Sequence, residues 1–227
     1  MRILALDAAT AACSVALWGD GVVLARRHAA MARGQSEALM PMVAEVMAEA
    51  GLAFAALDLL AVTVGPGAFT GIRIGLAAAR GLALATGLKA VGIVTTRAVA
   101  FAVDPAERRG RPLLVVLDSK RDEPWVQAFA ADLSPLGPVV ALSPSAAAAL
   151  LSGPVLLVGD AADRVAPLMP EAELSVASGS PDAATVAALA ATDWASGATL
   201  PAAPLYLRPA DVTMPAASAG VTMPTPP

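Results

Sequence analysis

The sequence predicts an α/β protein of two lobes, each a mixed sheet flanked by helices, with the second lobe less complete than the first. Three observations carry this expectation. Uninterrupted apolar runs of strand length alternate with segments whose apolar residues recur at helical spacing, the pattern of sheets covered on both faces. The order β-β-β-α-β-α-β of the first half begins again, in shorter form, after residue 112. Between the two copies lies "DPAERRGRP", a charged stretch of the kind that separates domains. The expected units are 1–105, 106–208 and a disordered tail, 209–227.

Taken in order, "RILALD" is a first strand, and "CSVALW" and "VVLARRHA" are two more joined by Gly19-Asp20-Gly21, a hairpin signal. "SEALMPMVAEVMAEAG" reads as a helix capped by Ser36 and ended by Gly51, with Leu39, Val43, Val46, Met47 and Ala50 on one side. Pro41 removes one of its hydrogen bonds. "LDLLAVTV" is a buried strand, and a glycine-rich segment leads from it into a helix capped by Thr70, with Phe69 stapled against Ile74. "KAVGIVT" is the next strand and "TRAVAFAV" the next helix. The second copy runs "LLVVLD", "WVQAFAAD", "PVVAL", a short alanine helix and "VLLVGD". The tail holds Val-Thr-Met-Pro twice, from Val212 and from Val221.

Composition narrows the function classes. Of 227 residues 57% are hydrophobic, but the longest uncharged run, Leu133 to Gly159, contains Pro135, Pro138, Pro144 and Pro154 and cannot form one spanning helix. The apolar stretch before Asp7 is too short for an export signal, so a cytoplasmic protein without a membrane partner is expected. A net charge of −4 argues against gripping nucleic acid unaided, although Arg26-Arg27, Lys120-Arg121 and Arg108, Arg109 and Arg111 form small basic clusters. The single cysteine, Cys13, excludes an internal disulfide and reads as packing. The single histidine, His28, excludes a paired-histidine metal site and reads as an exposed strand residue.

The stretch "GPGAFTGIRIGLAAARGLAL" carries five glycines from Gly65 to Gly81. Its place between a strand and a helix suits a nucleotide-binding turn, but the spacing does not. A dinucleotide fingerprint needs glycine where Thr70 stands, and no lysine is near enough for a P-loop. Gly71, Gly75, Ala79 and Ala83 instead recur every fourth residue and make a bare helix edge. Glycine costs about 1 kcal/mol against alanine in a helix, so such an edge implies close packing, within the lobe or against another protein. Asp7, Thr10 and Asp118 remain weak nucleotide-binding candidates: Asp7 and Asp118 each end the first strand of a lobe, where phosphate and metal chemistry can sit. Ala8 and Ala9 occupy the turn in which such proteins place glycine, and a turn role for Asp7 is an equal alternative.

Together "LALDAATAACSVAL", "GQSEALMPMV", "LDLLAVTVGPGAFTGIRIGLAAARGLA", "LDSKRDEPW" and "PLYLRP" resemble the TsaB (YeaZ) family of bacterial tRNA threonylcarbamoyladenosine biosynthesis proteins, from the start to about residue 208. The resemblance implies an actin-like, Hsp70-like ATPase fold. It also implies a non-catalytic paralogue that pairs with the transferase TsaD and the small ATPase TsaE, with no cofactor or metal of its own. The complex moves threonylcarbamoyl to the adenosine beside the tRNA anticodon, and tRNA is met only through it. The sequence departs from the family at Gln35, where histidine is usual, at Ala68, where serine is usual, and at "DEPW".

The expected role is therefore a scaffold that docks TsaD through helices 36–50 and 70–86, with Leu39, Val43, Gly71, Ile72, Arg73, Gly75, Leu76, Ala79 and Arg80 as contacts. Alone, the same surface would form a homodimer. The rival expectation is a small-molecule kinase or ATPase using Asp7, Asp118 and the glycine turn.

Overall fold

The structure, a computed structural model, describes residues 1–207, so the expected tail lies outside the described residues. The chain runs β1 Arg2–Asp7, β2 Ala12–Gly19, β3 Val22–Ala30, α1 Gln35–Glu49, β4 Leu59–Gly65, α2 Phe69–Thr86, β5 Ala90–Val94, α3 Thr95–Phe101 and the single turn α4 Pro105–Arg108. It continues with β6 Leu113–Leu117, β7 Trp125–Phe129, β8 Val140–Ala141, α5 Pro144–Ala148, β9 Leu156–Val158, β10 Glu173–Leu174, α6 Ala183–Ser196 and β11 Leu200–Pro201.

Two sheets follow one plan. In the first, of order β11-β5-β4-β1-β2-β3, β1 pairs antiparallel with β2 and parallel with β4. In the second, of order β10-β9-β6-β7-β8, β6 pairs antiparallel with β7 and parallel with β9. The recurrence expected from element order is thus a recurrence of topology. The β2–β3 hairpin turns at Asp20 and Gly21, with φ of 48° and 93°, the two positive angles that a type I′ turn needs.

Strands β1 and β4 read as continuous apolar runs because both of their faces are covered. Leu4, Leu6, Leu60 and Val62 pack toward α1 and α2, with Leu39, Val43, Val46 and Leu76. Ile3, Ala5, Leu59 and Ala61 face the opposite way, onto Val186, Leu189 and Ala190 of α6. Helix α3 belongs to both lobes: Ala98 lies in the second of these layers, while Val99 and Ala100 join Leu113, Val115 and Phe129 of the second sheet. Its Arg97 makes a two-pronged ion pair with Asp193 of α6, at 2.5 and 2.8 Å.

Two expectations are corrected, and one helix is added. Helix α1 starts one residue earlier than Ser36, after Gly34 at φ 95°, so Ser36 lies inside the first turn and its hydroxyl donates to Glu37 rather than capping. Pro41 is accommodated within α1. Helix α6 has no counterpart in the sequence reading, although Asp182 caps it through the Ala184 amide and Gly197 ends it in the left-handed region. Half of its residues are alanine, so apolar periodicity is faint. Together with β11, which pairs with β5, it returns the chain to the first lobe, so 106–208 is not one contiguous lobe.

Candidate functional site

Strand β4 ends at Gly65, the Gly65–Pro66 peptide is cis, and α2 begins after Ala68. This segment lies on the turn between β1 and β2, where the Ala68 amide donates to the Ala9 carbonyl at 2.7 Å. A methyl group on Gly67 would overlap the Ala9 carbonyl oxygen, and one on Gly71 the Ala8 carbonyl oxygen, both closer than the 3.0 Å that real side chains respect. The glycines therefore make room for the protein's own backbone. Ala8 and Ala9 are fully buried beneath them.

The three nucleotide-binding candidates look different in this setting. Asp7 is completely buried; its Oδ1 accepts from the Thr63 hydroxyl at 2.6 Å and from the Ala9 amide at 3.1 Å, while Oδ2 has no partner among the described residues. Burial pushes its carboxyl up to about 7, against the opposing pull of those two hydrogen bonds. The Thr10 hydroxyl is also buried without a partner among the described residues. Asp118 is held in a local turn: its carboxylate accepts from the Lys120 amide at 2.8 Å and from the Lys120 ammonium at 2.6 Å. Partial burial raises its carboxyl, and the Lys120 contacts outweigh that and hold it below the ordinary range. Among the described residues no three His, Cys, Asp or Glu side chains gather as metal ligands.

The expected docking residues divide sharply. Leu39, Val43, Gly71, Ile72, Gly75, Leu76 and Ala79 are all buried in the chain's own core. Bringing Leu39, Val43, Ile72 and Leu76 to a surface would cost about 2 kcal/mol each, a large share of a typical domain's total stability. These seven are corrected to packing residues: the bare edge of α2 serves its own sheet, with the Gly75 Cβ position 3.4 Å from Val62. Arg73 and Arg80 are exposed. Thr70 does not cap α2, because the helix follows Ala68, and Phe69 is 60% exposed beneath the Arg73 guanidinium rather than stapled to Ile74.

What the sequence reading missed is the outward face of the same helices. On α2 it carries Ala77, Gly81, Leu84 and Ala85, and on α1 Met40, Ala44 and Ala48, all exposed. Leu84 is 89% exposed, and a side chain at Gly81 would meet nothing within 4 Å. Ala77, Gly81 and Ala85 recur every fourth residue, so a second small stripe was present in the sequence behind the first, with Leu84 beside it. Which stripe faced inward is a property of the fold.

Other expected features hold their places. Cys13 is buried, its thiol pushed up to about 11 first by burial and then by Asp7. His28 is exposed on β3. The basic clusters are partly tied down, Arg26 to Asp182, Arg27 to Glu45 and Glu49, and Arg111 to Glu173. Gln35 donates to the Met31 carbonyl at 3.1 Å and so closes the loop that enters α1.

Comparison with known proteins gives a consistent picture. Residues 27–132 match the family described as TsaD, tRNA N6-adenosine threonylcarbamoyltransferase. The chain is 44% identical over 100 residues to the Escherichia coli tRNA threonylcarbamoyladenosine biosynthesis protein TsaB, a match that covers 44% of this chain and 43% of that protein. It is 34% identical over 215 residues to an uncharacterized protein of Mycobacterium tuberculosis, covering 92% of each. The structure superposes on YeaZ from Pseudomonas aeruginosa with a TM-score of 0.78 at 30% identity, covering 91% of this chain and 99% of that one. In fold alone it also resembles the ADPNP-bound activator of 2-hydroxyisocaproyl-CoA dehydratase from Clostridium difficile, with a TM-score of 0.51 at 11% identity. The architecture is that of the actin-like ATPases.

Proposed function

The chain belongs to the TsaB (YeaZ) family, and we propose that it serves tRNA threonylcarbamoyladenosine biosynthesis as a binding subunit of the TsaD transferase rather than as a transferase itself. The observation that carries this reading is the glycine segment lying on the β1–β2 turn. In an actin-like fold a phosphate would have to approach the backbone of that turn, and here Ala68 hydrogen-bonds to it and Gly67 and Gly71 press against it. The acid of β1 is buried, and that burial pushes its carboxyl up to about 7 and so disfavours the charged form that metal or phosphate chemistry would use. Those features support binding over turnover. Titration of ATP and magnesium into the isolated chain is expected to give no micromolar binding; such binding would favour the small-molecule kinase or ATPase reading instead.

The docking face in this proposal is the outward side of α1 and α2, where Met40, Ala44, Ala77, Gly81 and Leu84 form an exposed, largely uncharged surface. Small residues at 77 and 81 let a partner helix approach closely, the geometry that close-packed helix pairs use. TsaE would join the assembled pair, tRNA would be met through the complex, and the free chain would pair with a second copy through the same face. The proposed place of work is the cytoplasm, and no helix among the described residues is long and apolar enough to cross a membrane.

Gly81→Arg tests the face directly. Because nothing lies within 4 Å of that Cβ position and arginine is a better helix former than glycine, the variant is expected to keep the wild-type circular dichroism and a urea midpoint no lower than wild type while losing co-purification with TsaD by at least tenfold. Retention of the complex would move the interface elsewhere. Gly75, by contrast, faces Val62, and a large side chain there would test the core and not the surface.

A further inference from the structure

Both charges of α2 point at one short segment. Arg80 donates to the Ala202 carbonyl twice, at 3.0 and 2.8 Å, and Arg73 donates to the Tyr206 hydroxyl at 3.4 Å while its guanidinium lies 3.4 Å from the Phe69 ring centre. Residues 200–207 thus form a strap. It starts as β11 on the edge of the first sheet and passes over the glycine turn, where the Leu205 amide donates to the Val64 carbonyl at 2.8 Å. Beyond that bond Leu205 and Leu207 line a cavity of about 690 Å³ between the lobes, opposite Phe129 and Val139.

The acceptors that hold these two arginines are weak. Among the described residues neither Arg73 nor Arg80 has a carboxylate partner, although each guanidinium is exposed next to the proposed docking face. Seven residues separate them, about 10.5 Å along the helix and two turns apart, so they stand on one side. A carboxylate offered from outside would make charge-assisted, two-pronged bonds roughly twice as strong as those to a neutral carbonyl or phenol. The strap would then depend on its bond to Val64, the short β11 pairing and the packing of Ala202 against the first core, and the Val64 bond would open more often.

We propose that the partner which docks on α2 presents carboxylates to Arg73 and Arg80, takes both arginines from the strap, and so frees residues 202–207 and withdraws Leu205 and Leu207 from the wall of the cavity between the lobes. The proposal rests on the docking reading above and goes beyond it by naming the partner's chemistry and the segment it displaces. The strap is the internal competitor for the two cations. Binding at one face of α2 is in this way transmitted to the lobe interface through the chain's own backbone, by a contact that both the partner and the strap can claim.

Hydrogen exchange of the full chain, alone and saturated with TsaD from the same organism, tests this. In the free chain Arg80→Gln is expected to speed exchange at the Leu205 amide at least tenfold without changing the amides of α2; unchanged exchange overturns the proposal, since Arg80 then does not hold the strap. In the wild-type complex the Leu205 amide is expected to exchange at least tenfold faster than in the free chain, and unchanged or slower exchange overturns the proposal. Gly81→Arg separates the two levels. If that variant still binds, the docking face is wrong. If it fails to bind while the wild-type complex keeps Leu205 protected, the docking face stands and the strap displacement alone is wrong.

Discussion

Gly71→Ala is expected to destabilise the protein by about 3 kcal/mol or more, the upper range for overpacking, whereas Gly81→Ala ten residues along the same helix is expected to stabilise it by up to about 1 kcal/mol. Both replace glycine by alanine within α2, so helix propensity favours both equally. The difference is what the new methyl group meets. At Gly71 it overlaps the Ala8 carbonyl oxygen, which belongs to a buried turn fixed by β1 on one side and β2 on the other, and at Gly81 it meets nothing within 4 Å. Relief at Gly71 would require α2 to lift away from β4, disturbing Ile72, Leu76 and Ala79 in the core. Urea midpoints of the two variants and the wild type decide the matter. Equal midpoints would mean that α2 does not rest on the β1–β2 turn, and the main support for the binding-subunit reading would fall with it.

Asp7→Asn is expected to be more stable than wild type at pH 8 by roughly 2–4 kcal/mol and close to it at pH 4. Burial raises the folded carboxyl from 3.8 to about 7, so between those values the folded protein keeps a proton that the unfolded chain has released. Stability from this group is fully present below pH 4 and is lost as pH rises toward and through 7. Asparagine preserves the acceptor for Thr63 and the Ala9 amide but never ionises, so the variant's stability should lack that descent. Urea titrations at pH 4, 6 and 8 measure it. A wild-type curve that rises from pH 4 to 8, with the variant lying below it throughout, would mean that Asp7 is a paired carboxylate in the native state. That would return it to the list of groups able to hold a cation.

Much of the fold was legible because burial on both faces of a sheet leaves a direct mark on composition. "ILAL" of β1 and "LLAV" of β4 are apolar at every position for that reason, and Asp20-Gly21 supplies the positive φ angles that its turn demands. Helix α6 was not legible. Alanine packs against a sheet without announcing a face, and the signs that mark its ends, Asp182 and Gly197, also mark ordinary turns. The candidate site was half legible. The every-fourth-residue edge of α2 correctly implied close approach at Gly71 and Gly75. Sequence spacing could not say whether the approaching body was another protein, the sheet or a neighbouring turn.

The sequence by itself determined that this chain makes two related α/β lobes, that it has neither a histidine pair nor an internal disulfide, and that the small-residue edge of Gly71 and Gly75 exists for contact at short range. These are properties of residue type and local periodicity, and they survive any arrangement of the elements. Only the tertiary structure decided which side of α2 turned inward, that Gly67 and Gly71 meet Ala9 and Ala8, that Asp7 lies out of water's reach, and that Arg73 and Arg80 reach the strap of residues 200–207. Each of those depends on residues more than fifty positions apart being brought together. A helix with small residues on two sides can bury either one, and the choice is made by the sheet and the turn against which it packs.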